Sequence, residues 1–158
     1  MKQVGLAAAV LMLTLTGCQS HKAQADPIET GLDQEFSLHG GQEATISAAN
    51  LSLRFTDVME DSRCPKQVEC FWTGQARIGV VATQAQAQDE PTTLEFNTNP
   101  APGQTRQTVE VGDYTVVLKS LDPYPQTPDD ATALADYSAT LLVRDRLAFR
   151  RTARVPRR

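Results

Sequence analysis

The stretch Asp61-Ser-Arg-Cys-Pro-Lys-Gln-Val-Glu-Cys-Phe-Trp-Thr-Gly74 decides how the rest of the chain is organised. It contains two of the three cysteines, Cys64 and Cys70, and the single tryptophan, Trp72. An exported, oxidising compartment would join the two cysteines in a small ring, whereas a thioredoxin-like redox pair needs a Cys-x-x-Cys spacing. If residues 70–72 enter a strand, Cys70 and Trp72 share one face. We then expect the indole to pack on the disulfide as part of the core.

On both sides of this stretch, apolar and polar residues alternate with a period of two, the pattern of strands with one buried face. Eight segments show the pattern: 35–39, 43–47, 51–58, 74–87, 94–96, 109–111, 114–121 and 137–143. Turn-forming residues lie between them, and no stretch is convincingly an amphipathic helix. We therefore predict an all-β domain over residues 32–145, an antiparallel β-sandwich or small barrel of about eight short strands with one local disulfide.

The N-terminus has the pattern of an export signal. Residues 4–15 form a charge-free, apolar run that is too short to span a membrane as a helix. The run ends in Leu15-Thr16-Gly17-Cys18, which resembles the lipobox of bacterial lipoprotein precursors. In that family the signal peptide is cleaved before the cysteine, which carries the lipid. The resemblance implies a signal peptide over residues 1–17 and lipidation of Cys18, with the polar residues 18–31 as a lipidated N-terminus and flexible tether.

The same resemblance predicts where the protein resides. In enterobacterial lipoproteins, an aspartate directly after the lipidated cysteine retains the protein at the inner membrane, and this chain has Gln19 there. We therefore expect a cell-envelope protein, lipid-anchored at the outer membrane and facing the periplasm. Burial of acyl chains contributes about 0.8 kcal/mol per methylene, so more than one chain would give a stable anchor.

Charge is distributed unevenly along the chain. Residues 19–143 contain seven basic and 18 acidic residues, whereas residues 144–158 contain seven arginines and one aspartate. The acidic body disfavours nucleic acid as a partner. The basic tail, predicted over residues 146–158, would suit the phosphate groups of anionic lipids. Two alternatives are equally favoured: the tail pairs with the acidic body, or the tail is disordered.

The sequence offers little for metal binding or catalysis. Only two histidines occur, His21 and His39, and the spacing of the cysteines fits no common zinc pattern. A nucleophile would need a histidine or lysine as its base, and His39, in a turn after a strand, is expected on the surface. We therefore expect no catalytic residue, no metal and no cofactor.

Three neighbouring acids, Asp57, Glu60 and Asp61, could in principle bind Ca²⁺ or act as paired carboxylates. The simpler expectation is a solvated rim, or a structural Asp61 that accepts backbone hydrogen bonds and pairs with Arg63. In either case the acids take no part in catalysis or metal binding.

The fifteen-residue connection from Asp122 to Asp136 is the best candidate for a contact with a partner, because loops of this length are often functional. The residues expected to form the contact are Pro123, Tyr124, Pro125 and Pro128. The Pro-x-x-Pro spacing is compatible with polyproline II. The alternative is a loop with no role beyond connecting two strands.

The motifs Asp61-Ser-Arg-Cys-Pro65 and Cys70-Phe-Trp-Thr-Gly74 together resemble a family of uncharacterised bacterial lipoproteins. That family shares Asp-Ser-Arg-Cys-Pro, followed by Cys-x-Trp-x-Gly. The later Leu121-Asp-Pro-Tyr-Pro125 and the strand led by Tyr137 fit the resemblance, which covers most of residues 35–143. It implies a β-rich envelope domain and no particular activity.

These observations predict a lipid-anchored envelope protein that is a non-enzymatic binding or structural module. The alternative is an inhibitor or chaperone-like partner of an envelope enzyme, acting through the disulfide loop and the 123–128 loop. A hydrolase has the least support, since it would need a cleft that gathers carboxylates around His39.

Overall fold

A computed structural model describes residues 25–85, 90–100 and 107–147, and these residues form two stacked β-sheets. The strands are β1 (Ile28–Glu29), β2 (Glu35–His39), β3 (Glu43–Ile46), β4 (Leu51–Asp61), β5 (Ala76–Gln84), β6 (Thr92–Asn97), β7 (Thr108–Val111), β8 (Tyr114–Asp122) and β9 (Ser138–Asp145). Two 3₁₀ turns lie at Ser47–Ala49 and Leu134–Asp136. Among the described residues, no helix is long and apolar enough to cross a membrane.

The prediction of an all-β fold is confirmed, and its form is the sandwich rather than the barrel. One sheet has the order β1-β3-β4-β5-β6 and the other has the order β2-β9-β8-β7, and the two do not close on each other. Every pairing is antiparallel except that of β1 with β3. The period-two pattern places one face of each sheet inward. The fully buried large side chains are Leu38, Ile46, Leu51, Leu53, Phe55, Ile78, Val80, Phe96, Val116, Leu141 and Val143.

The sequence missed β1, which lies inside the predicted tether. Ile28 pairs with Ala44 and Glu29 pairs with Thr45. Ile28 also packs against the core, so the domain includes Ile28 and the proposed boundary at residue 32 is too late. A two-residue strand carries no period-two pattern, because alternation needs at least one repeat to be visible.

The sandwich has two distinct ends, which we name by what lies there. At the tip end, β4 and β5 finish their ladder at Asp61 and Ala76, and the connection 62–75, the tip, projects beyond them. At the far end, the same ladder begins at Leu51 and Gln84. In the second sheet, the β8–β9 ladder runs from Asp122 at the tip end to Tyr114 at the far end.

Candidate functional site: the disulfide tip

The tip is a continuation of the β4–β5 hairpin, closed by a disulfide. The amide of Ser62 donates to the carbonyl of Gln75 (2.7 Å), and the amide of Cys64 donates to the carbonyl of Thr73 (2.9 Å). Cys64 and Cys70 are bonded, with their Cα atoms 6.0 Å apart, which confirms the predicted ring. Two ladder hydrogen bonds and one covalent link therefore hold the base of the tip.

Gly74 is required because the two arms of the tip approach each other closely at this position. Its φ of +66° lies in the left-handed region, and a Cβ at this position would stand 1.8 Å from the carbonyl oxygen of Ser62. Backbone cannot yield to such a contact as a flexible side chain can. The glycine of the Cys-x-Trp-x-Gly pattern thus has a structural explanation.

Arg63 is the buried centre that joins the tip to the second sheet. Its Nε and Nη2 donate to the two carboxylate oxygens of Asp61, at 2.8 and 2.6 Å. Its Nη1 donates to the carbonyl of Leu121 (2.6 Å), and Nη2 also reaches the carbonyl of Pro123 (2.8 Å). The guanidinium lies 4.8 Å from the centre of the Tyr124 ring, where it gains a cation–π contact. One side chain therefore connects both sheets at the tip end.

Asp61 is a structural carboxylate, as one reading of the sequence expected. Besides the bidentate pair with Arg63, it accepts a hydrogen bond from the Tyr137 hydroxyl (3.0 Å) and a longer one from the Arg63 amide (3.3 Å). Burial alone would raise the pKa of this carboxyl, but the hydrogen bonds and charge of Arg63, aided by Tyr137, outweigh it and lower the pKa. Burial, followed by the bond to Asp61, raises the pKa of the Tyr137 phenol.

The predicted partner-contact loop is packed beside the tip. The amides of Lys66 and Gln67 donate to the carbonyls of Pro125 and Gln126, both at 3.1 Å. Asp130 Oδ2 in turn accepts from the Gln126 amide (2.6 Å). Pro123 follows a cis peptide bond and is exposed, as is Pro128, while Tyr124 and Pro125 are half-buried. The two segments that the sequence singled out therefore form one joint surface, which is the main feature that the sequence could not reveal.

The prediction that Trp72 packs in the core on the disulfide is wrong. Its side chain is 76% exposed, Phe71 beside it is 102% exposed, and Val68 across the ring is 39% exposed. The physical reason is that residues 70–72 do not enter a strand. Pairing resumes only at Thr73 and β5 begins at Ala76, so the alternation of faces assumed for Cys70 and Trp72 does not apply. We call Val68, Phe71 and Trp72 the apex.

A shallow cleft of about 290 Å³ lies under the tip. Its lining includes Arg63, Asn99, Gln107, Lys119 and Tyr124. Several of its polar groups are already bonded within the protein: Asn99 Nδ2 donates to Thr73 Oγ1 (2.6 Å), and Gln107 Nε2 donates to the carbonyl of Thr98 (2.8 Å). These two side chains therefore bond within the protein and stabilise the tip region, rather than offer their amide groups to a ligand.

The acids and the histidine considered for chemistry have different surroundings. His39 is exposed at the end of β2. Glu60 accepts a hydrogen bond from Ser62 Oγ (2.8 Å), and Asp61 is held by Arg63. Within residues 25–85, 90–100 and 107–147, no three His, Cys, Asp or Glu side chains are grouped so as to hold a metal ion.

Two of the predicted membrane contacts fall outside the described residues: Cys18 and the arginines from Arg150 onward. Two arginines before them are described. Arg144 Nε lies 3.9 Å from Asp33, and Arg146 contacts Glu110 (3.0 Å) at the far end. The chain thus leaves β9 at the end opposite the tip.

Comparisons of this chain with protein-family models, with curated proteins and with solved structures give no match. The resemblance to the uncharacterised lipoproteins therefore stays a prediction.

Proposed function

We propose that this chain is a lipid-anchored protein of the bacterial cell envelope, a non-enzymatic binding module whose contact surface is the apex. The observation that carries the proposal is the exposure of Phe71 and Trp72 side by side, with ring centres 6.5 Å apart. Each aromatic side chain buries about 150–250 Å² when covered, so leaving both in water forgoes a large hydrophobic gain. Neighbouring exposed aromatics typically mark an interaction site.

The support beneath the apex favours binding over a passive role. A flexible loop loses conformational entropy when it binds, whereas a loop fixed beforehand loses less. Here the disulfide, the ladder bonds at Ser62 and Cys64, and the buried Arg63 all restrict the tip before any partner arrives. The apex therefore resembles a preorganised contact rather than a loose connection.

The proposed anchor comes from the sequence. The ending Leu15-Thr16-Gly17-Cys18 resembles a lipobox, and the motifs of residues 61–65 and 70–74 resemble a lipoprotein family. We place the protein at the outer membrane facing the periplasm on the strength of Gln19. Metabolic labelling with an alkynyl fatty acid tests the anchor: the wild type is labelled and Cys18→Ala is not, while equal labelling of both would contradict it.

The contact surface has its own test, hydroxyl-radical footprinting of the full-length protein. The peptide containing Phe71 and Trp72 is expected to be oxidised strongly in a lipid-free, detergent-free sample that begins at Gln19 and to be protected in the wild-type protein of intact envelopes. Leu147, which is 49% exposed at the far end, provides the internal control and should react similarly in both samples. Equal oxidation of the apex in both samples would refute the proposed surface.

A second candidate function is that of an inhibitor or chaperone-like partner of an envelope enzyme. It is supported by the joint surface of two loops. The Lys66 and Gln67 amides donate to the carbonyls of residues 125 and 126, so both loops could contact one partner. A pull-down from envelope extract, with wild type and a variant in which residues 123–128 are replaced, tests it. Identical partner lists would sink this candidate.

A further inference from the structure

The chain enters the domain from the tip side, which relates the proposed anchor to the apex. β1 runs parallel to β3, and β3 runs antiparallel to β4, whose C-terminal end leads into the tip. Residues before Ile28 therefore approach from the direction of the tip. Consistent with this, Gln42 Nε2 donates to the carbonyl of Asp26 (2.7 Å), and the carbonyl of Gln42 accepts from the Phe55 amide (3.1 Å). Asp26 thus lies near the level of Phe55.

The chain before Asp26 is long enough to bring Cys18 to the level of the tip. Asp26 lies eight residue steps after Cys18, and at 3.3–3.6 Å per step this segment reaches at most about 26–29 Å. The path from Phe55 to Cys64 has nine residue steps, six of them in β4, and is at most about 30 Å at 3.3 Å per residue. Two irregularities in the register of β4 with β5 shorten that path. A nearly extended segment before Asp26 therefore reaches about the level of Cys64, at the base of the tip.

The chemistry of the apex fits the interface of a bilayer. Tryptophan favours the boundary between headgroups and acyl chains, where its ring is apolar and its N–H meets water. Phe71 and Val68 add apolar surface. Residues 65–72 hold one lysine and one glutamate, so the apex carries no net charge. The Lys66 ammonium is turned toward Tyr124, 5.6 Å from its ring centre, rather than standing among the apex side chains.

From this geometry we infer that the apex docks into the same membrane that holds the Cys18 lipid, so that the domain rests on the bilayer by its tip end. The inference depends on the lipid anchor of the proposed function and names the ligand of its contact surface. A fully exposed phenylalanine beside an exposed tryptophan gains from insertion into a fluid apolar layer, which needs no complementary pocket. The anchor supplies the high local concentration of membrane that a small apex requires.

This orientation has a consequence for lipid composition. The last described arginine, Arg146, lies at the far end, away from the docked surface. Docking by an uncharged apolar apex is driven by burial rather than by attraction to anionic headgroups. It should therefore persist in vesicles of zwitterionic phosphatidylcholine and at high salt, where a contact made by the arginines would weaken.

The test uses the single tryptophan, Trp72, as the probe. The lipidated full-length protein is purified in detergent, reconstituted into phosphatidylcholine vesicles and checked by flotation. Its emission is compared in vesicles with unlabelled lipid and in vesicles with lipid brominated near the headgroup or near the acyl-chain end. We expect emission that is blue-shifted relative to a lipid-free, detergent-free sample beginning at Gln19, and a loss of emission that is greater with the shallow bromines. In Phe71→Ser the docked-to-undocked ratio should fall roughly tenfold or more, whereas Leu147→Ser should behave as wild type.

The possible outcomes separate the two proposals. Failure of the protein to float shows that the anchor is absent, and both proposals then fall. Flotation without quenching of Trp72 overturns membrane docking alone and leaves the apex as a surface for another ligand. A blue shift that bromine does not quench shows that protein covers the apex, either a second copy or a partner, and it also overturns the inference.

Discussion

The two ends of the sandwich differ in how they are closed. At the far end, a two-residue turn joins β7 to β8, a 3₁₀ turn lies between β3 and β4, and the described arginines make exposed ion pairs, such as that of Arg146 with Glu110. At the tip end, a buried arginine, a carboxylate, two tyrosines and a disulfide fix a long connection. Such reinforcement is unnecessary for closing a hairpin, as the far end demonstrates. It is explained if the tip must hold Phe71 and Trp72 in a defined position in water.

The largest difference between the ends should appear when the arginines are exchanged for methionine. Arg63→Met leaves the nearly buried Asp61 carboxylate without its cation, which should lower the free energy of unfolding by about 3–5 kcal/mol. Arg146→Met removes a pair whose partners are 32% and 63% exposed and should cost about 0–1 kcal/mol. Urea unfolding followed by circular dichroism measures both. Equal losses would show that the buried arginine of the tip stabilises the domain no more than the exposed arginine of the far end.

A glycine at each end offers the next comparison. Gly74→Ala places a Cβ 1.8 Å from a backbone oxygen as well as in the left-handed region, which together should cost about 3 kcal/mol or more. Gly112→Ala has a similar φ of +55°, but its nearest neighbour is the side chain of Gln84 at 2.9 Å, which can move. We expect about 1–2 kcal/mol there. Thermal unfolding of the two variants should rank them in this order, and the reverse order would show that the tip backbone adapts readily.

Removal of the disulfide should have a smaller effect, which is greatest at the tip. Closure of a ring of about seven residues contributes roughly 2 kcal/mol in the chain-entropy description. We expect Cys64→Ser with Cys70→Ser to lose about that much stability. Amide hydrogen exchange should speed up most at positions 62 and 64, whose amides donate to the Gln75 and Thr73 carbonyls, and less at the far-end hairpin near Tyr114. Uniform acceleration at both ends would mean that the ring stabilises the domain as a whole.

Acid should weaken the tip end through Asp61. Its pKa is lower in the folded protein than the ordinary value of 3.8, so the stabilisation is fully present above that value and is lost as pH falls through the lower folded pKa. Asp61→Asn lacks this contribution. The difference in urea midpoint between wild type and Asp61→Asn should therefore be constant near neutral pH and shrink below about pH 4. A difference that stays constant down to about pH 2 would show that Asp61 does not titrate as described.

The smallest expected effect on stability is at the apex itself. Phe71→Ser and Trp72→Ser alter side chains that are exposed, so the free energy of unfolding should change by no more than about 0.5 kcal/mol. These variants can therefore test the contact made by the apex without changing the stability of the fold. A loss comparable to that of Arg63→Met would instead assign the aromatic pair to the structure of the tip.

Local patterns in the sequence were sufficient for eight of the nine strands, for the ring and for the pairing of Asp61 with Arg63. Each of these depends on residues close in sequence or on a period of two. The contacts from Arg63 to the Leu121 and Pro123 carbonyls join residues about sixty positions apart, and no local pattern encodes them. The predicted position of Trp72 was wrong because residues 70–72 form an irregular turn, in which side chains do not alternate between two faces as they do in a strand.

The central claim is tested most directly by moving the only tryptophan from one end of the domain to the other. Wild-type protein reports from the tip through Trp72, and the double variant Trp72→Phe, Leu147→Trp reports from the far end. Both are reconstituted through the lipid anchor into vesicles with brominated lipid. We expect strong quenching of Trp72 and little quenching at position 147. Equal quenching at both ends, or stronger quenching at the far end, would contradict it.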